Sequence, residues 1–486
     1  MYDLTSSTLD RIPAAVNVPT YDRSALRNGI VHLGVGHFHR SHQAMYVDQL
    51  LRQGTALDWG ICGGGVRPGD RRVRDALAAQ DYLYTLTVKE PDGSRPSRVI
   101  GSVNGYRYGA ELIESLADPA IRIVSLTITE GGYGTDPVTG DFTGASTEIQ
   151  ADLRDRTPSR TVFGLVLQAM RLRRDRGAGG LTIMSCDNIE HNGSVAASAF
   201  LGFAEAADQG VARWMRANVA FPSSMVDRVT PGTVDADRAY VESAYGYRDR
   251  WPVTCEPFHQ WVLEETFAAG RPPLEDAGVE VVGDVEPYEL MKLRLANGTH
   301  QALCYFGCLL GHTYVHEAIA DPDVRALLAA YLEEAVPTLR PIAGVDPRAY
   351  GRTVLERFGN AEMRDPLARI CADTSDRIPK FVLPVVAAQL ERGGPVRACA
   401  AVVASWARYA EGTDEAGHWI DVVDPRRDQL TAAAQRQASN PTAFIEDESV
   451  FGALANSPRF ASAYTEALEL IRTKGTRTAL RELTMA

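Results

Sequence analysis

Between residues 28 and 190 short apolar runs alternate with segments of helical periodicity, and that alternation leaves few architectures open. "GIVHLGVG" (29–36) is an apolar run that ends in glycines. "RSHQAMYVDQLLRQG" (40–54) follows with apolar residues at helical spacing and stops at Gly54. "DWGICGGGV" (58–66), "IRIVSLTIT" (121–129) and "LTIMSCDN" (181–188) read as further buried strands. "RVRDALAAQ" (72–80), "AELIESLAD" (110–118) and "TVFGLVLQAMRLRRDRG" (161–177) read as helices between them. "YLYTLTVKE" and "SRVIGSVNGY" flank the turn signal "PDGS" and read as a hairpin. Strand, helix, strand at this rhythm predicts an open, largely parallel sheet with helices on both faces.

The character changes near residue 285. "GRPPLEDAGVEVVGDVEPYE" (270–289) is rich in proline, glycine and acids and reads as a linker. Beyond it strand signal almost vanishes, while "DVRALLAAYLEEAV", "VRACAAVVASWARYAEG" and "SPRFASAYTEALELIRTKG" keep a helical period. The expected organisation is therefore an α/β domain over 1–284 and a mostly all-α domain over 285–486. The 486 residues suffice for two real cores.

The net charge of −12 argues against nucleic acid and anionic membrane as partners. No apolar stretch is long enough to span a bilayer, since the longest is broken by Gly307, Gly311 and His312. The opening "MYDLTSSTLDRIP" shows no export signal. Seven cysteines, without a CxxC, fit reduced thiols of a cytoplasmic protein.

"VHLGVGHFHRSH" places Gly34 and Gly36 at the end of the first strand, where a dinucleotide fingerprint begins. The first glycine permits the tight turn, and the second lets a pyrophosphate approach the backbone. The third glycine is replaced by His39. His37, His39 and His42 invite a metal reading, but they lack a clear carboxylate partner and would compete with the phosphate, so no metal is expected. After the second strand Asp70 is the candidate to hold the adenosine ribose, although Arg67, Arg71 and Arg72 surround it.

"MKLRLANGTHQALCYFGCLLG" (291–311) is an apolar helix with polar intruders. At about 100° per residue, and with Lys292 at zero, Asn297 lies near ~140°, His300 near ~80° and Glu289 near ~60°. All four fall in one arc, on a helix whose continuation is apolar nearly all round. Polar groups there must find partners or do chemistry.

Lys292, Asn297 and His300 form K-x4-N-x2-H on this helix, and further blocks are "FPSSMVDRVTP" (221–231), "MSCDN" (184–188), "TITEGGY" (127–133) and "GVGHFHRSHQAMY". Together, in this order, they resemble the polyol-specific long-chain dehydrogenases over nearly the whole chain, and most closely the mannitol-oxidising branch. The resemblance implies a Rossmann domain, a helical domain, a site in the cleft between them and no zinc. It implies Lys292 as general base, Asn188 and Asn297 as an oxyanion hole, Asp227 and His300 positioning substrate, and Glu289 gating proton exit. It places Gly34, Val35, Gly36, His37, Phe38, Arg40, Asp70 and Glu130 along the cofactor, with Arg369 and Arg377 on the substrate hydroxyls. The implied reaction is NAD-dependent oxidation of a polyol, D-mannitol to D-fructose first. Within the family the alternatives are a fructuronate or tagaturonate reductase and a D-arabinitol 4-dehydrogenase. Outside it stands a non-catalytic dinucleotide-binding regulator. Family members include monomers, and no exposed apolar stripe here demands a partner.

The chemistry agrees. Without a metal to acidify the hydroxyl, alcohol oxidation needs a base, and burial lowers a lysine from its free value of about 10.4. Two amides are donors that need no proton bookkeeping, each worth roughly 3 kcal/mol to a developing alkoxide. Two departures stand out. Gly69 replaces one acid of the pair that mannitol-oxidising relatives carry before Asp70, which predicts NAD preference with some use of NADP. Arg377 stands where they tend to have lysine.

Overall fold

The computed structural model describes residues 1–136, 139–155 and 159–485. The chain divides into two compact units, Met1–Glu286 and Pro287–Ala486.

The first unit is built on a six-stranded sheet whose strands we number in chain order: β1 Asn28–Leu33, β2 Gly60–Gly65, β3 Val103–Tyr108, β4 Ile123–Leu126, β5 Leu181–Ser185 and β6 Val219–Ala220. Their spatial order is 3-2-1-4-5-6, and every pairing is parallel. This is the dinucleotide-binding order, with its switch point between β1 and β4. The apolar runs of the strands alternate between faces. Ile30, Ile61, Ile123 and Met184 feed one core, while Val31, Leu33, Val124, Leu126 and Ile183 feed the other. Helices such as Gln43–Arg52 and Val162–Arg176 bury their apolar sides in these cores.

Two local expectations change. The hairpin exists, Tyr84–Val88 against Ser97–Ile100, but "SVNGY" leaves it at Gly101 and forms β3 at the edge of the large sheet. The expected linker contains the boundary between the units, at Glu286, but most of it is folded into the first unit. Leu274–Ala277 forms a 3₁₀ turn and Glu280–Val282 pairs in parallel with Gln260–Glu264. Leu274, Ala277 and Val279 are buried in the first unit's core, and that apolar content outweighs the prolines and acids around it.

The second unit is helical, with one extended apolar core that includes Leu303, Phe306, Leu327, Trp406 and Phe460. The helix Gly298–Leu309 is buried along nearly its whole length. No described helix is long and apolar enough to cross a membrane. All seven cysteines are unpaired.

Candidate active site

The turn after β1 requires its first glycine. Gly34 has a φ of +98°, and a Cβ there would lie 2.1 Å from the carbonyl oxygen of Thr127, just past β4. Gly36 caps the short helix His37–Ser41 and donates its N–H to the Gly34 carbonyl at 2.6 Å. A Cβ on Gly36 would meet only that oxygen, at 3.7 Å, so the backbone stays open to a phosphate.

His39, in the third glycine's place, is buried and lies flat on His32 of β1, with ring centroids 3.5 Å apart. His32 in turn is hydrogen-bonded to Ser125 Oγ at 2.8 Å and to Thr127 Oγ1 at 3.0 Å. His42 is fully buried and bonded to the Gln260 carbonyl, leaving His37 as the exposed histidine of the turn. Burial lowers the pKa of His32 and His42 to about 3 and pushes His39 well below the usual imidazole range. Among the described residues no three His, Cys, Asp or Glu side chains are placed to hold a metal ion.

Val35 is buried, and Phe38 stacks on His42. Arg40 faces inward and donates to the Gly36 and Trp251 carbonyls, so it steadies the turn from beneath. Asp70 accepts the Val66 and Arg67 N–H groups on Oδ2, both at 2.9 Å. Arg67, Arg71 and Arg72 are all exposed, and Arg72 stacks over Trp251.

At the carboxyl ends of β4 and β5, Asp187 joins two segments. Its carboxylate accepts Ile128 N–H at 3.0 Å, Thr129 N–H at 2.8 Å and the Tyr133 hydroxyl at 2.7 Å. Glu130 and Asn188 are exposed on the two segments so joined. Asp227 ends the strand Ser224–Asp227 and is half-buried. Its neighbour Arg228 turns to the carbonyls of Ser41 and Glu256.

In the second unit Glu289, Lys292, Asn297 and His300 share one helical run, but it is not a plain α-helix. Glu286–Met291 and Gly298–Leu309 are α-helical, and Lys292–Asn297 between them is a π-helix. An α-helix sets residues five apart about 140° from each other. A π-helix bonds residue i to i+5 and stacks them one turn apart. Lys292 and Asn297 therefore lie on the same side, closer than the α-helical spacing predicted. Lys292 and Glu289 are each 7% exposed. The Tyr331 hydroxyl donates to the Arg294 carbonyl at 2.8 Å inside the π turn. Gly298 makes room for it, because a Cβ there would lie 1.9 Å from the Tyr331 oxygen. His300 stacks on Phe358 at 3.7 Å, which fixes its ring.

Arg369 is exposed and forms a two-pronged ion pair with Asp365. Arg377 donates to the Arg369 and Ile370 carbonyls, both at 3.1 Å. The structure thus gathers Glu289, Lys292, Asn297 and His300 on one run and joins Arg369 to Arg377. Asn188, Asp227, Glu130 and the glycine turn belong to the first unit. Sequence reasoning missed Asp187, Tyr331 and the π turn. "KLRLANG" gives no sign of the extra residue per turn, though a glycine beside a polar cluster is a hint.

Comparison with known proteins is consistent along the chain. Residues 28–276 match the model of the mannitol dehydrogenase Rossmann domain, and residues 284–472 match that of the mannitol dehydrogenase C-terminal domain. A mannitol 2-dehydrogenase of Pyrenophora tritici-repentis is 43% identical over 95% of this chain and 82% of its own. One of Aspergillus fumigatus is 42% identical over 97% of both chains. Among solved structures, the Pseudomonas fluorescens mannitol 2-dehydrogenase, in a ternary complex with NAD and D-mannitol, is 42% identical, with a TM-score of 0.88 over 99% of both chains. A substrate-free D-sorbitol dehydrogenase is 37% identical, with a TM-score of 0.91 over 98% of this chain and 100% of its own. The chain belongs to the mannitol dehydrogenase family.

Proposed function

We propose that this chain oxidises a polyol to a ketose with NAD, D-mannitol to D-fructose in the first instance, with Lys292 as general base. The observation that carries the reading is a lysine 7% exposed on an apolar helix, with Asn297 one π turn further on. The residues of the glycine turn fit a dinucleotide: Gly34 and Gly36 keep the backbone bare, and Asp70 Oδ1 is directed to no other group. When bound, the nicotinamide supplies the hydride acceptor.

The residues supply the rest. An amine taken out of water is more easily held neutral, so Lys292 is set to take the hydroxyl proton. The amides of Asn297 and Asn188 donate to the alkoxide oxygen as charge builds there. His300, fixed by Phe358, and Asp227 orient the neighbouring hydroxyls. Glu289 lies one turn before Lys292 and receives the proton from it.

Arg369 is paired with Asp365, while Arg377 gives only Nη1 to backbone carbonyls and keeps its charge, so the uronates belong in the test beside the polyols. The structural relative named for D-sorbitol makes the C2 epimer the competitor to test.

The test is absorbance at 340 nm with mannitol, sorbitol, arabinitol, fructuronate and tagaturonate, using NAD or NADH and then NADP or NADPH. Because mannitol and sorbitol both yield fructose, the oxidation rates decide between them. We expect mannitol with NAD to be fastest. Lys292→Ala should lower kcat by about a thousandfold or more and leave the NADH dissociation constant near wild type. Turnover that survives Lys292→Ala would remove it as the base, and NADH binding without turnover of any substrate would favour a regulator.

A further inference from the structure

We propose that Asp187 is a positioning residue for this reaction: its carboxylate holds the strained Thr129 turn and the Asn188 segment in one geometry. The inference rests on the proposed role of Asn188 and adds a residue to it.

Thr129 has φ +68° and ψ 159°, a region that only glycine occupies without cost. A β-branched residue stays there only where its surroundings over-determine it. The surroundings are Asp187. It is 8% exposed, and it takes the N–H groups of Ile128 and Thr129 on separate oxygens. The Tyr133 hydroxyl, which also reaches Ser185 Oγ at 2.7 Å, closes the ring of donors. Each bond to Asp187 links the segment after β4 to the segment after β5.

The main chain of Asp187 is held as well. Asn192 Nδ2 donates to the Asp187 carbonyl at 3.0 Å and to the Ser224 carbonyl at 2.7 Å, and Ser224 N–H returns a bond to Asn192 Oδ1. Ser224 opens the strand that ends at Asp227. So Glu130, Asn188 and Asp227 are spaced by one network centred on a residue that is itself turned away from solvent. Open α/β sheets bind ligands at the carboxyl ends of their strands, which is where this network sits. A buried carboxylate is costly unless fully bonded, and a plain structural tie needs neither the charge nor the strain.

The experiment compares Asp187→Asn, Thr129→Gly, the double variant, Tyr133→Phe and Asn188→Ala. Asparagine keeps the shape but places an NH₂ against a backbone N–H. We expect Asp187→Asn to lower kcat by about ten- to a hundredfold, short of the hundred- to thousandfold typical of deleting an oxyanion donor. KM for mannitol and the dissociation constant of NADH, read by fluorescence titration, should change by less than about threefold. Thr129→Gly alone should be near wild type. In the double variant it should restore about tenfold of the lost kcat, because glycine needs no clamp to hold φ +68°. Tyr133→Phe should show a smaller loss in the same direction.

An Asp187→Asn enzyme with kcat within about threefold of wild type, beside an impaired Asn188→Ala, would overturn the proposal and leave the assigned reaction intact. So would an Asp187→Asn loss that Thr129→Gly does not relieve. If Asn188→Ala is inert, the role of Asn188 falls, and the proposal with it.

Discussion

Asp70 commits one carboxylate oxygen to its own loop, and on the proposed reading that commitment bears on cofactor choice. Oδ2 accepts the Val66 and Arg67 N–H groups, so the proposed ribose contact falls to Oδ1. Gly69 adds no second acid, and the exposed arginines Arg67, Arg71 and Arg72 stand near. A Cβ on Gly69 would meet nothing within 4 Å, and its backbone is α-helical, so a larger side chain fits. Gly69→Glu should therefore cut kcat/KM for NADP relative to NAD by about tenfold, the equivalent of about 1.4 kcal/mol, through repulsion of the 2′-phosphate. An unchanged ratio in paired 340 nm assays would show that the loop does not read that phosphate. At this scale Glu289, Lys292, Asn297 and His300 stood out as candidates because a polar side chain on an apolar helix is anomalous by itself, whereas Asn188 and Asp227 came only with the resemblance. Asp187 and Tyr331 were not. An aspartate at a strand end and a tyrosine in a helix are ordinary, and only their partners, 37 to 59 residues away in sequence, give them meaning.

Among the elements, the helical run from Glu286 to Leu309 departs furthest from its sequence pattern. A 3.6-residue period fits "MKLRLANGTH" well enough, and nothing in the composition marks the six π-helical residues. The departure is sustained by tertiary contacts: the Tyr331 hydroxyl on the Arg294 carbonyl, and Gly298 beneath it. Gly298→Ala would press a methyl group onto the Tyr331 oxygen. We expect it to cost about 2 kcal/mol in urea unfolding and several degrees in Tm. Adding Tyr331→Phe should recover part of that loss, since the clashing oxygen is gone. A Gly298→Ala protein as stable as wild type would mean that Tyr331 yields without cost. The misread linker has the converse origin. Its prolines and acids dominate a window of sequence, yet the few apolar residues among them decide where the segment packs.

For the molecule as a whole, the parallel sheet was legible because buried strands between amphipathic helices allow little else, and the helical unit because strand signal stops. The histidine-rich packing under the cofactor turn was not, since imidazoles in a glycine-rich turn suggest solvent or metal. It has a consequence for stability. Unfolded histidine takes up a proton near 6.5, whereas native His32 and His42 wait until about 3 and His39 is held well below its usual range by burial. Below pH 6.5 the unfolded chain binds more protons, so stability present above that pH is lost on acidification, by up to about 1.4 kcal/mol per pH unit for each histidine. Asp187 and Asp249, whose pKa burial raises, oppose this loss. The urea midpoint should fall between pH 7 and pH 5, and His39→Gln should flatten the fall. A midpoint constant over that range would show that these rings are not held neutral. The π turn, finally, acts like a reading frame. It holds one residue more than an α turn, so a change that let residues 292–297 relax into an α-helix with every residue kept would leave a regular and comfortable helix. It would also swing Asn297, His300 and all that follows about 100° around the axis from Lys292. Spacing along this segment is information in the way that codon phase is, and a change that improves the helix would make its message unreadable.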